Sequence, residues 1–184
     1  MKTADENMLV TVVVSTYNGE KYLAVQLDSI VGQTHKNLEI IISDDASSDK
    51  TLEIAQRYAA NDARITIIHH EKNIGLHANL EGALSVAKGT YIAISDQDDI
   101  WQLDKIEKLL AAIGDKIAVF TDSVLIDSAG ASIGQTVLQS IRLKDWENCT
   151  RLLNLLYKNV VSGHAMLFHR SLLTAALPFS DDLI

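Results

Sequence analysis

Tyr91-Ile92-Ala93-Ile94-Ser95-Asp96-Gln97-Asp98-Asp99-Ile100-Trp101 joins an apolar run to three carboxylates crowded into four residues. The apolar half reads as a strand buried on both faces, and the acidic half as a polar turn at its carboxyl end. The same composition occurs twice upstream. Leu9–Ser15 is a continuous β-branched apolar run that leads into Thr16-Tyr17-Asn18-Gly19, and Leu38–Ile42 leads into Ser43-Asp44-Asp45-Ala46-Ser47-Ser48-Asp49.

Between these runs the apolar period becomes helical. Leu23, Leu27, Ile30 and Val31 fall at i, i+4, i+7 and i+8 on one helix face. Leu52, Ala55, Tyr58 and Ala59 share another, with Ser48 or Asp49 placed to cap it. Ile65–Ile68 predicts a third strand and Leu76–Ala87 a third helix, stopped by Gly89. Leu103–Ile113 predicts a fourth helix, with Asp99 a candidate cap, and Ala118–Phe120 a further strand. Such alternation predicts an α/β fold with right-handed crossovers and a mostly parallel central sheet flanked by helices. Ligands of such sheets bind beyond the carboxyl ends of the strands, where the polar clusters lie.

Past Phe120 the pattern loosens. Asp122–Gln139, with Gly130 and Gly134, suits hairpins or loops. Thr150–Tyr157 reads as a helix, Ser162-Gly163-His164 interrupts the apolar stretch Val160–Phe168, and Arg170–Ala176 reads as a short helix ended by Pro178. No repeat or linker divides residues 1–184, which read as one domain.

Composition narrows the function. Lys+Arg number 16 against 24 Asp+Glu, a net charge of −8 that gives no counterion-replacing surface for nucleic acid. At 47% hydrophobic the chain has the material for a core. No apolar stretch reaches the length of a membrane span, and the polar segment Met1–Met8 is unlike a signal peptide. The lone Cys149 forms no internal disulfide, lacks a basic neighbour in sequence, and points to a cytoplasmic home. The glycines match neither the dinucleotide fingerprint nor the phosphate-cradling P-loop, and no Gly-x-Ser-x-Gly elbow occurs.

Three adjacent carboxylates repel one another, and each resists ionising unless a cation relieves the penalty. Mg²⁺ or Mn²⁺ takes carboxylate oxygens and leaves positions open for phosphate, so Asp96 and Asp98 are candidate metal ligands. The same turn also suits a solvated helix cap. Asp44-Asp45 at the second strand end can accept from a base N–H or a ribose hydroxyl, or cap a helix.

Four stretches together resemble the family 2 inverting glycosyltransferases with the GT-A nucleotide-sugar-binding fold. They are Val12-Val13-Val14-Ser15-Thr16-Tyr17-Asn18-Gly19; Ser29-Ile30-Val31-Gly32-Gln33-Thr34; Ile41-Ile42-Ser43-Asp44-Asp45-Ala46-Ser47-Ser48-Asp49-Lys50-Thr51; and Gly89-Thr90-Tyr91-Ile92-Ala93-Ile94-Ser95-Asp96-Gln97-Asp98-Asp99. The Ser-Asp-Gln-Asp-Asp-Ile-Trp wording is also similar to the branch that includes bacterial rhamnosyltransferases. The resemblance implies a nucleotide-sugar half over 8–120 and a partial acceptor-side half over 121–184. It places Ser15, Thr16 and Tyr17 against the base and ribose, and Asp45 on a uracil or thymine N–H. Asp96 falls on ribose or metal, and Asp98 on the metal, Mn²⁺ or Mg²⁺. Asn79 is a further candidate for the same cleft.

The implied reaction moves a sugar from a UDP- or dTDP-linked donor to the hydroxyl of a glycan or lipid-linked acceptor, in cell-surface polysaccharide synthesis. It would take place in the cytoplasm or at the inner face of the membrane, with peripheral membrane contact open. Inversion needs a general base. The family carries it in an acidic-aromatic segment expected just past Ile184, so the chain resembles a member cut short. Asp181 and Asp182 are the carboxylates left near that place. Two other readings stand: a nucleotide-sugar-binding domain without turnover, and a haloacid-dehalogenase-type phosphohydrolase with a nucleophilic Asp.

His164 and Trp101 are candidates for the acceptor side; a structural histidine and local packing are the competing readings. His69, His70 and His77 lack the spacing of a metal site. Trp146 reads as local packing, and Lys105 and Lys108 as solvated helix charges.

Overall fold

A computed structural model describes residues 7–140 and 162–179. Cys149, Trp146, Asp181, Asp182 and the helix expected at Thr150–Tyr157 lie outside the described residues. Strands β1 (Val10–Thr16), β2 (Leu38–Asp44), β3 (Ile65–His69) and β4 (Tyr91–Ser95) alternate with helices α1 (Leu23–Val31), α2 (Thr51–Asn61) and α3 (Leu76–Ser85). Helix α4 (Lys105–Ile113) and β5 (Ala118–Phe120) follow, then the hairpin β6 (Val124–Ile126) and β7 (Ser132–Thr136), β8 (Met166–His169), and a last short helix, Leu173–Ala176.

The main sheet has the order β3-β2-β1-β4-β8-β5. Strands β3, β2, β1 and β4 are mutually parallel, and β8 runs antiparallel between β4 and β5. The hairpin forms a separate two-stranded sheet. Alternation along β1 sorts the core. Val10, Val12 and Val14 meet α1, α2 and α4 through Leu27, Ala55 and Ile106. Val13 and Ile92 on the opposite face meet α3 through Ala83 and Leu84, together with Phe168 of β8. Among the described residues, no helix is long and apolar enough to cross a membrane.

Two helix boundaries differ from the sequence reading. Helix α3 ends at Ser85, with Val86 rather than Gly89 at its cap. Gly89 is instead a site of close packing: a Cβ there would lie 2.4 Å from the Thr11 backbone nitrogen, and its own N–H donates to Thr11 Oγ1. Helix α4 begins at Lys105 after Asp104, so Asp99 does not cap it. Neither Ser48 nor Asp49 is the N-cap of α2, which is Lys50, but Asp49 just before it accepts from the Thr51 N–H at 2.9 Å.

Candidate active site

The chain adds β2 and β3 on one side of β1 and then crosses to place β4 on the other. At that reversal, beyond the carboxyl ends of β1, β2 and β4, lies a cleft of about 330 Å³. Ser15, Thr16, Tyr17, Asp45, Asn79, Asp96 and Asp98 all line it. The side-chain oxygen of Ser15 is buried there without a hydrogen-bond partner.

The two adjacent carboxylates at the end of β2 divide the work. Asp44 is fully buried and accepts from Thr16 Oγ1 at 3.0 Å, the Ser47 N–H at 3.1 Å and His69 Nδ1 at 3.0 Å. Asp45 turns to the cleft and accepts from the Ile74 N–H at 2.7 Å and the Gly75 N–H at 2.9 Å. Gly75 has φ +86°, a conformation that favours glycine, so the loop before α3 is shaped around this carboxylate. Asn79 is buried and donates to the Ser43 carbonyl at 2.9 Å, which fixes the floor.

Tyr17 is half exposed at the cleft mouth, and its backbone is clamped. Its N–H donates to Gln97 Oε1 at 2.9 Å, and Gln97 Nε2 donates back to its carbonyl at 3.0 Å. Sequence reasoning passed over Gln97 as the spacer between Asp96 and Asp98; only the fold shows that it joins the acidic turn to the β1 loop. That loop is also tied to the β2 loop. The Asn18 N–H donates to Ser47 Oγ and the Gly19 N–H to Thr51 Oγ1.

A second support was equally hidden. Gln26 and Ser29 lie on α1 and Gln33 just past its end, all buried. Gln26 donates to Ser95 Oγ at the end of β4, and the Trp101 N–H donates to Ser29 Oγ at 3.1 Å. Gln33 donates to the Gln102 carbonyl at 2.8 Å and accepts from the Ile106 N–H at 3.1 Å. The Ser29–Thr34 stretch thus owes its pattern to a buried polar ladder that holds both ends of the acidic turn.

Beyond Asp99 opens a second cleft, of about 320 Å³, bordered by Trp101, Lys105, Ser123 and His164. His164 Nδ1 lies 3.2 Å from Asp96 Oδ2 and 4.0 Å from Asp99 Oδ2. The hydrogen bond with Asp96 raises the His164 pKa above its ordinary value, and burial raises that of Asp99. The structure corrects the lysine reading in part. Lys108 is solvated beside Asp104, but Lys105 is partly buried, donates to the His164 carbonyl at 2.7 Å and stands 4.0 Å from the Trp101 ring centroid. Trp101 is only 4% exposed, so it forms part of the wall and offers little surface for stacking on a sugar. His69, His70 and His77 do not converge. Among the described residues, Asp96, Asp99 and His164 are the one group of three with ligand spacing.

Burial lowers the Lys105 pKa from 10.5 to about 8. The unfolded state therefore binds the extra proton between pH 8 and 10.5, and stability attributable to this residue rises with pH across that window. Relative to Lys105→Met, urea unfolding of the parent chain is expected to gain on the order of 2 kcal/mol from pH 8 to 10.5, discounted for residual solvent access. Parallel pH curves for the two proteins would refute the buried ammonium.

A family model described as Glycosyl transferase family 2 matches residues 11–175. A Bacillus subtilis protein named for teichuronic acid biosynthesis, the glycosyltransferase TuaG, is 37% identical over 113 residues, or 61% of this chain and 45% of its own length. EpsH of the same organism, also named a glycosyltransferase, is 31% identical over 174 residues, or 92% of this chain and 49% of its own. Among solved structures, the mannosyltransferase PcManGT of Pyrobaculum calidifontis, in complex with GDP-Man and Mn²⁺, matches with TM-score 0.69 at 25% identity, over 94% of this chain and 48% of its own. Residues 1–349 of S. aureus TarS with UDP match with TM-score 0.71 at 24% identity, over 91% of this chain and 48% of that one. The chain thus spans about half the length, or less, of these relatives. Sheet order, cleft and solved neighbours agree on a GT-A type fold, and with the family match running from β1 into the last described helix, the chain belongs to glycosyl transferase family 2.

Proposed function

We propose that this chain carries the donor side of a metal-dependent, inverting glycosyl transfer from a nucleotide-diphosphate sugar to an acceptor hydroxyl. One observation carries the reading: a single cleft has the Asp45 carboxylate on one wall and the Asp96–Asp98 turn on another, with Tyr17 between them. A carboxylate at Asp45 accepts from the ring N–H of uracil, thymine or guanine, which adenine and cytosine lack. The Tyr17 ring supplies a stacking face. Ser15, Thr16 and Asp96 remain for ribose and phosphate. The solved complex of PcManGT with GDP-Man and Mn²⁺ supports both the donor class and the cation.

The acidic turn fits a divalent cation. Three carboxylates share it, and Asp99 Oδ2 is buried with no hydrogen-bond partner. When bound, such an ion stabilises the charge that develops on the departing diphosphate. Residues 8–120 form the nucleotide-sugar half in this reading, and His164 and Trp101 border the acceptor side. A role in cell-surface polysaccharide synthesis is supported by the naming of TuaG for teichuronic acid biosynthesis. Family membership sets aside the phosphohydrolase reading. Binding without turnover is the form the proposal takes if no residue of this chain deprotonates the acceptor.

Calorimetric titration with UDP, dTDP, GDP and ADP, each with and without Mn²⁺, tests the reading. The expected result is metal-dependent binding of UDP or dTDP that ADP does not match. Failure of all four to bind, or equal binding without the ion, would overturn it.

A further inference from the structure

A carboxylate offers two kinds of acceptor position. The inner lone pairs of its oxygens point the same way, and each oxygen has an outer lone pair on its own flank. Donors on the two inner positions stand about 2–3 Å apart, whereas a donor on one flank is more than about 6 Å from any donor on the other oxygen. At Asp45 the Ile74 N–H donates to Oδ1 at 2.7 Å and the Gly75 N–H to Oδ2 at 2.9 Å. These residues are successive, and successive backbone nitrogens lie no more than about 3.7 Å apart. The two N–H groups therefore take the inner pair, and only an outer lone pair of Asp45 is left for a ligand. Its 3% exposure fits an edge, not a whole fork, presented to the donor cleft.

The loop that fills the fork is pinned. Asn73 Oδ1 also accepts from the Gly75 N–H, at 3.2 Å. The Gly75 carbonyl accepts from the Asn79 N–H at 3.0 Å, and Gly75 is itself the N-cap of α3. Withdrawing the two N–H groups would disturb the start of that helix.

Fold neighbours hold GDP-Man in one case and UDP in another, so likeness leaves the base open. We propose that the donor base is a pyrimidine imide, uracil or thymine, and that the loop Asn73–Gly75 excludes guanine by occupying the fork of Asp45. The inference rests on the reading of Asp45 given above and narrows its donor. Guanine offers two adjacent donors, its ring N–H and its amino group, which both oxygens of a free carboxylate accept at once. Here the main chain already holds that side. On one outer lone pair guanine pairs its ring N–H alone, and its amino group loses water without gaining the second oxygen. Uracil and thymine carry a single N–H between two carbonyls and ask for one acceptor. Hypoxanthine has the ring N–H of guanine but a C–H where guanine has the amino group, so it strands nothing.

The two modes of recognition order the purines oppositely, and this is the test. Displacement of UDP from the chain by GDP and by IDP is measured by competition calorimetry with Mn²⁺ present. GDP is expected to bind at least about tenfold more weakly than UDP, and at least about threefold more weakly than IDP, the scale of one unsatisfied polar group. A carboxylate with a free fork gives the reverse order, GDP ahead of IDP. GDP closer than these margins to either nucleotide, or tighter than IDP, would overturn the proposal. Displacement by neither purine would put the selection in the width of the cleft and overturn the role of the loop. N3-methyl-UDP separates the two levels of the argument. If UDP binds no better than this derivative, the reading of Asp45 as the base acceptor fails, whatever the order of the purines. If UDP loses affinity on methylation and GDP still matches it, only the exclusion of guanine fails.

Discussion

Asp45→Ala is expected to weaken UDP binding about 100-fold while changing ADP binding less than threefold. The Asp45 side chain is 3% exposed, and its two oxygens already accept from the Ile74 and Gly75 N–H groups. Each oxygen keeps a second lone pair, so the carboxylate can hold the loop and still accept from a base. Its removal deletes a charge-assisted bond to uracil, about 1.5–3 kcal/mol, and leaves two backbone donors unpaired. Asp45→Asn keeps the shape but sets an NH₂ group against one of those donors, and an intermediate loss of about tenfold follows. The ADP control separates recognition from scaffolding, because adenine has no ring N–H to offer. Equal losses for UDP and ADP, measured by calorimetry, would show that Asp45 only supports the loop.

The sequence was informative where the interactions are local or strictly periodic. The runs at Val10–Thr16, Leu38–Asp44 and Tyr91–Ser95 are strands because their residues are buried on both faces. The polar turns after them meet in one cleft because parallel strands place their carboxyl ends on the same edge. Ser15, Thr16, Tyr17, Asp45, Asp96 and Asp98 were legible for that reason. The position of β8 was not. It enters between β4 and β5 by long-range antiparallel pairing, and no short window of sequence encodes such a partner.

Burial on an unexpected face hid the rest. Nothing in the sequence marked Gln26, and Ser29 and Gln33 were marked only within the Ser29–Thr34 stretch, yet all three are buried because the acidic turn and the start of α4 pack over them. Lys105 looked like a helix surface charge. Its neighbours Trp101 and the His164 carbonyl come from outside its own helix. Asp99 looked like a cap because it precedes a helix, but the helix starts six residues later and leaves the carboxylate free to face His164.

The buried amide of Gln33 makes the strongest stability claim. Asp104, at the N-cap of α4, makes no side-chain capping bond, and the first N–H groups of any helix lack intrahelical partners. Gln33, just past the end of α1, supplies one: its Oε1 accepts from the Ile106 N–H, while its Nε2 donates to the Ser29 and Gln102 carbonyls. Gln33→Leu has nearly the same volume, so it leaves little cavity, but it strands the Ile106 donor and the Gln102 acceptor inside the protein. At about 1–3 kcal/mol for each unsatisfied buried group, the expected loss in urea unfolding is about 3–5 kcal/mol. Gln33→Glu retains the acceptor but sets a buried carboxylate against the Ser29 and Gln102 carbonyls, so at neutral pH it is expected to cost at least as much. If Gln33→Leu costs under 1 kcal/mol, water has replaced the amide and the ladder does not fix the acidic turn. If the loss is large and Mn²⁺-dependent UDP binding also weakens in the fraction that remains folded, then Gln33, just past α1, sets the geometry of carboxylates it never touches.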